Sequence, residues 1–167
     1  MRDRKNKSPT EKTAALRITH TLTKETLQLM NREKVFPKKA RWQICYELAG
    51  IANKYHTCVM FANGINVDCH ALFVLRHINV ACAQAWLYVM SAKMSLAIDV
   101  LEINADKLEH WAGLHNEATK CLSAWKASDK RRYAPQYGEL TSADLTEAEN
   151  AVRGILAEAG IIGSILP

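Results

Sequence analysis

The 167-residue sequence lacks the alternating apolar and polar runs that indicate β-strands. Its seven glycines are scattered, and no Gly-x-Ser-x-Gly, Walker or dinucleotide-binding motif predicts a nucleophile or a phosphate-binding loop. The five cysteines include no Cys-x-x-Cys pair, which argues against a disulfide framework and against a zinc site. These absences favour an all-α protein, and we expect a reducing, cytoplasmic environment.

Metal-ligand patterns are also missing. No Glu-x-x-His pair predicts a di-metal site in a helical bundle. His70 and His77 share a helical face but lie about 10 Å apart along it, too far to hold one ion. We therefore expect no metal and no cofactor, and we interpret the protein as a non-enzyme. A helical enzyme that uses these histidines, His110 and His115, or a cysteine, is the alternative.

The most apolar stretch, residues 77–92, contains no Asp, Glu, Lys or Arg. Its 16 residues include His77, Asn79 and Gln84, so we expect it to be too short and too polar to span a bilayer. The N-terminal residues show no apolar segment typical of a secretory signal. The prediction is a protein without membrane association.

Helix signals divide the chain instead. Ser8, Pro9 and Glu11 form a helix start with a capping box, and the first helix is predicted to run to about Arg32. Pro37 interrupts the pattern before a second helix that begins near residue 38. The apolar stripe of that helix is predicted to contain Trp42, Cys45, Tyr46, Ala49, Ala52 and Val59.

Three further helices are predicted. Asp68 is expected to cap the third helix, which continues to about Ile98, and Asn104 is expected to cap the fourth. Residues 128–140 read as a polar linker, and a last helix covers about 142–159. The predicted fold is an antiparallel up-and-down four-helix bundle with an additional C-terminal helix. Its parts are a basic arm (1–8), the bundle (9–128), and the linker with the C-terminal helix (129–167).

The third helix is apolar over most of its circumference, so most of its surface must be covered. We infer that it also faces another subunit and that the protein is a homo-oligomer. The alternative is that the C-terminal helix covers the surplus surface within one chain. The predicted interface residues are Leu75, Trp86, Leu87, Met90 and Met94.

Positive charge is concentrated near the N-terminus. Through Arg41 the chain has twelve Lys or Arg and four Asp or Glu, while the remainder has ten and thirteen. A basic N-terminal part of this kind predicts nucleic acid or another polyanion as the partner, and a merely solvated arm is the alternative. Few aromatic residues interleave the cations, so base stacking is not predicted. The predicted nucleic-acid-binding residues are Arg2, Arg4, Lys5, Lys7, Arg17, Lys24, Arg32, Lys34, Lys38, Lys39 and Arg41.

Two stretches carry a family resemblance. "KVFPKKARWQICYELAGIANKY" (34–55) resembles the phenylalanine-proline-basic start of the second helix in small bacterial four-helix-bundle proteins. Residues 103–128 look like the fourth helix of that family, with Leu108-Glu109-His110 at its start and Leu122-x-x-Trp125 near its end. The group includes the accessory variability determinants of diversity-generating retroelements and the proteins encoded in ribosomal-RNA intervening sequences.

The resemblance implies a basic homopentamer of four-helix protomers. In the retroelement branch such a protein binds the reverse transcriptase and its template RNA or the cDNA, and supports mutagenic reverse transcription. In the intervening-sequence branch the expectation is an interaction protein with no nucleic-acid role.

Overall fold

The computed structural model describes residues 11–161, apart from the side chains of Ala40, Arg41 and Gln43. The predicted capping residue Ser8 lies outside this part of the chain. Residues 11–161 are all-helical and contain no strand, which confirms the all-α prediction. The helices are α1 (Glu11–Met30), α2 (Tyr46–Gly64), α3 (His70–Leu101), α4 (Glu109–Tyr137) and α5 (Ser142–Glu158).

The predicted caps of α3 and α4 have different outcomes. Asn104 accepts a hydrogen bond through Oδ1 from the N–H of Asp106 (2.9 Å), and so caps the 3₁₀ turn Ala105–Leu108 that leads into α4. The predicted cap at Asp68 is wrong. The helix α3 follows Cys69 instead, and the Cys69 side chain makes no capping bond.

Two non-α turns precede the helix α2, the first tighter than an α turn and the second wider. Lys38–Ala40 form a 3₁₀ turn, and Arg41–Cys45 form a π-helical turn. Because a π turn holds more residues than an α turn, side chains before it leave the 3.6-residue period of the helix that follows. The stripe predicted through Trp42 and Tyr46 is wrong at both positions. Trp42 lies in the π turn, and Tyr46, the first residue of α2, lies about 200° around the helix from the buried Leu48. The buried residues of α2 are Leu48, Ile51, Ala52, Tyr55, Val59 and Ala62.

The predicted linker is mostly helix. The helix α4 continues to Tyr137, because Tyr133 and Ala134 on one face are buried in a small apolar cluster with Phe73. Lys130, Arg131 and Arg132 of this segment are exposed, so its polar composition concealed an amphipathic helix. Pro135 is tolerated in the last turn, where only one backbone hydrogen bond is lost.

The main core lies among α1, α2, α3 and α4 and contains two buried hydrogen bonds to threonines of α1. The hydroxyl groups of Thr19 and Tyr55 lie 2.7 Å apart, which links α1 to α2. The indole Nε1 of Trp111 donates to Oγ1 of Thr26 (2.9 Å), which links α4 to α1. Both bonds satisfy polar groups that would be costly to bury alone.

The prediction that Trp86, Leu87, Met90 and Met94 form an oligomer interface is not supported, because all four are buried within the chain. Of the five predicted residues only Leu75 is exposed, at 38%. The alternative holds for the first half of α3, because α5 packs against α3. The two helices line a cleft there with His77, Ala81, Leu145, Ala148 and Val152.

Among the described helices, α3 is the only one long and apolar enough to cross a membrane, with a mean hydropathy of 1.2 in its most apolar window. Of that window, 56% is buried inside the protein. The core helix of a soluble protein has the same length and composition. The cytoplasmic location therefore stays a prediction.

A buried arginine joins three parts of the fold. Arg76 on α3 is only 4% exposed, and its guanidinium donates to the Asp129 carboxylate (3.5 Å), to the Tyr133 hydroxyl (3.3 Å) and to the Ile65 carbonyl. Burial raises the pKa of Asp129, and Arg76 opposes that shift. Arg76 thus ties the α2–α3 connection to the second half of α4.

A second titratable group lies in a cleft of about 470 Å³ among α3, α4 and α5. The pKa of His77 is lowered to about 4, chiefly by burial and then by the charges of Lys126 and Lys130, while Asp144 opposes the shift. The unfolded chain takes up this proton near pH 6.5, whereas the folded chain takes it up only near pH 4.

We expect the free energy of unfolding to fall as the pH is lowered from about 6.5 to about 4, because His77 is protonated first in the unfolded state. Urea unfolding at several pH values measures this dependence. His77→Gln should flatten the curve in this window, whereas His110→Gln, at an exposed position of α4, should leave it unchanged. If the free energy of unfolding depends on pH equally in the wild type and in His77→Gln, the lowered pKa of His77 is not the cause of that dependence.

Candidate nucleic-acid interface

The basic loop after α1 is partly neutralised by its own carboxylates. The guanidinium of Arg32 lies 2.9 Å from Glu25 of α1, and the ammonium of Lys38 lies 3.3 Å from Glu33. The side chains of Arg32 and Lys38 are both exposed, although Glu25 is largely covered, so a phosphate can compete for the two cations at a small cost. Lys39, next to Lys38, is also exposed.

A further cation reaches this loop from the connection between α3 and α4. The ammonium of Lys107 donates to the backbone carbonyl of Lys34 (3.1 Å). The two residues are 73 positions apart in the chain, so no local sequence signal could bring them together. Lys107 therefore adds a positive charge beside the predicted basic loop.

Two aromatic side chains stand beside the same cations. Trp42 is 87% exposed and Tyr46 is 78% exposed, whereas both were predicted to be core residues. Large aromatic side chains are usually well buried, so two of them in solvent within five residues indicate a binding surface. Base stacking was not predicted from the sequence, and this end of α2 places two exposed aromatic side chains beside the cations.

These residues border a groove between α1 and α2, here called the α1–α2 groove. It consists of two clefts of about 530 and 380 Å³, and both are lined by Leu27 and Asn31. From Tyr46 to His56 the groove follows α2 for about 15 Å by helix rise. The other lining residues are Met30, Lys38, Trp42, Cys45 and Ala49 in the larger cleft, and His20, Thr23, Lys24, Gln28 and Asn53 in the smaller.

The structure brings together only some of the predicted nucleic-acid-binding residues. Lys24 and Lys38 both border the α1–α2 groove. Arg17 is exposed on α1, about 10 Å before Lys24 by helix rise. The cations thus follow the length of α1 instead of forming one basic end. Arg2, Arg4, Lys5, Lys7 and the side chain of Arg41 lie outside the described residues.

The chemistry that the groove offers is binding. Its walls carry ammonium groups, side-chain amides, and aromatic and aliphatic surface, and the rings of His20 and His56 lie 6.4 Å apart near its far end. Residues 11–161 contain no group of three or more His, Cys, Asp or Glu that could hold a metal ion. Cations with aromatic faces suit a polyanion that carries bases.

Comparisons with protein-family models, with curated proteins and with solved structures found no match for the chain. The resemblance to the retroelement accessory proteins therefore stays a prediction.

Proposed function

We propose that this protein is an oligomeric accessory subunit of a diversity-generating retroelement. It binds the reverse transcriptase, and it holds the template RNA or the cDNA on a basic surface to support mutagenic reverse transcription. The observation that carries the proposal is the α1–α2 groove, where Lys24 and Lys38 accompany the exposed Trp42 and Tyr46. The proposed site of action is the cytoplasm.

We also infer the antiparallel up-and-down arrangement of α1 to α4. Lys12 at the start of α1 reaches the carbonyl of Asn63 at the end of α2 (3.4 Å). Lys93 in the second half of α3 pairs with Glu47 at the start of α2 (2.8 Å). Each contact joins the beginning of one helix to the end of its neighbour, which supports an alternating chain direction.

A homo-oligomer, proposed to be a pentamer, would use a different surface from the one predicted. The second half of α3 leaves Tyr88, Leu96 and Val100 exposed, at 58%, 55% and 61%. This half lies beyond the end of α5, whose last residues lie near Trp86. Light scattering on the purified protein measures the subunit count, and a monomer would contradict the oligomer.

Salt dependence tests the nucleic-acid role. We expect the double variant Lys38→Ala/Lys39→Ala to reduce the slope of log affinity against log salt for single-stranded RNA by about 1.4, because each lost phosphate contact removes about 0.7. Fluorescence anisotropy with labelled RNA at several salt concentrations gives the slope. Lys120→Ala/Lys130→Ala on α4 is the matched control and should change the slope less.

An affinity independent of salt, or no affinity in dilute buffer, would contradict the nucleic-acid role. Capture of the reverse transcriptase by the tagged protein tests the protein partner separately.

The second candidate function is the interaction protein of the intervening-sequence type. The pairing of Arg32 and Lys38 with Glu25 and Glu33 favours it, since these cations already have partners.

A further inference from the structure

Trp42 has an environment unlike that of the other tryptophans. The chain contains four, and Trp86, Trp111 and Trp125 are all buried. Trp42 is 87% exposed, so it leaves most of its apolar surface in water. Exposing an indole of this size costs stability that burial would recover, which indicates that a ligand covers it.

The backbone that carries Trp42 is also unusual. The π-helical turn Arg41–Cys45 ends where α2 begins, so Cys45 is buried while Trp42, three residues earlier, is not. In an uninterrupted α-helix, residues three apart share a face. Single π turns occur frequently at functional sites. The turn therefore holds the indole outside the core.

The cleft beside Trp42 has an apolar floor and a polar rim. Met30 and Cys45 are buried, Leu27 and Ala49 are half-buried, and Lys38 stands exposed at the edge. A volume of about 530 Å³ accommodates a flat ring system the size of a nucleobase. The cations at the edge are complementary to the phosphates on either side of such a base.

We propose that an unpaired base of a single-stranded nucleic acid stacks on Trp42 in this cleft, and that Lys38 and Lys39 hold the adjacent phosphates. The assignment rests on the proposed nucleic-acid role and makes it more specific. A base inside a duplex has both faces covered by its neighbours, so only an unpaired strand offers a free base face for stacking. Single-strand binding sites elsewhere combine a cationic groove with aromatic side chains in this way.

The intrinsic fluorescence of the full chain tests the proposal, because Trp42 is the only exposed indole. We expect a single-stranded oligouridylate to quench it, and an abasic oligomer of the same length not to. Trp42→Leu keeps apolar surface but removes the stacking face, and should weaken oligouridylate binding about tenfold. Binding of the abasic oligomer and of duplex RNA should be unchanged in this variant.

Phe61→Leu is the matched control, an exposed aromatic (55%) near the end of α2 that does not line the groove, and should bind like the wild type. Equal affinities of Trp42→Leu and wild type for oligouridylate would overturn the stacking site, while salt-dependent binding would leave the proposed function in place. No RNA binding by the wild type in dilute buffer would overturn the proposed function itself. Unchanged RNA binding with a smaller subunit count for Trp42→Leu would overturn stacking and assign Trp42 to a contact between copies.

Discussion

Replacing Arg76 with alanine should lower the free energy of unfolding by about 3–5 kcal/mol. The guanidinium is buried and serves Asp129, Tyr133 and the carbonyl of Ile65 together. Its removal leaves a half-buried carboxylate without its cation and two buried polar groups without a donor. Urea unfolding followed by circular dichroism measures the loss.

Arg153 of α5 provides the control for Arg76. Its guanidinium pairs with Glu149 at 2.7 Å, but both side chains are exposed. Arg153→Ala should therefore change the free energy of unfolding by at most about 0.5 kcal/mol. The double variant Arg76→Ala/Asp129→Ala should lose less than the sum of the single losses, because it leaves no unpaired charge. Additive losses would show that Arg76 and Asp129 are not coupled.

Replacing Trp125 with alanine should cost about 3–5 kcal/mol of the free energy of unfolding. This indole is 1% exposed in the core shared by α1 to α4, and its loss leaves a large cavity. Trp42→Ala removes the same atoms from an exposed position and should cost about 0.5 kcal/mol or less. Similar losses for the two variants would contradict the difference in burial between the two tryptophans.

The helices of this protein were predictable from sequence, but their turns were less so. The break at Pro37 and the cap at Asn104 indicated where two helices are separated from their predecessors, and the predicted number of five helices agrees with α1 to α5 of residues 11–161. The extension of α4 through 128–137 was missed because its charged residues outnumber the few apolar ones. Tyr133 and Ala134 make that segment helical by packing on Phe73, a contact between residues 60 positions apart in the sequence.

The sequence analysis predicted cations that border the candidate site, but it did not predict the exposed aromatic side chains there. Lys24 and Lys38 were recognisable as cations on or beside α1, and both border the groove. Trp42 was assigned to the core because a single 3.6-residue period was extended through a π turn, and Tyr46 because the apolar stripe was placed on the wrong face of α2. A turn of that kind has no sequence signature here, so the exposure of Trp42 required the structure.

The apolar circumference of α3 was interpreted as a contact between subunits. Trp86, Leu87, Met90 and Met94 instead face other helices of the same chain, since α3 packs on α2, α4 and α5. A central helix with three neighbours has little need of a polar face. The sequence pattern alone does not distinguish such a helix from one that is covered by a second copy.

Thr19 and Thr26, two of the three buried threonines of α1, determine how that helix is aligned with its neighbours. Apolar side chains can re-pack after a helix slides by one turn, about 5.4 Å, because apolar contacts are not specific for one axial offset. Hydrogen bonds do not re-form in this way, because each needs its two partners at one position along the helix axes. This holds for the bond between Thr19 and Tyr55 and for the bond from Trp111 to Thr26. Such a slide would break both hydrogen bonds, so they fix the axial position of α1 relative to α2 and α4.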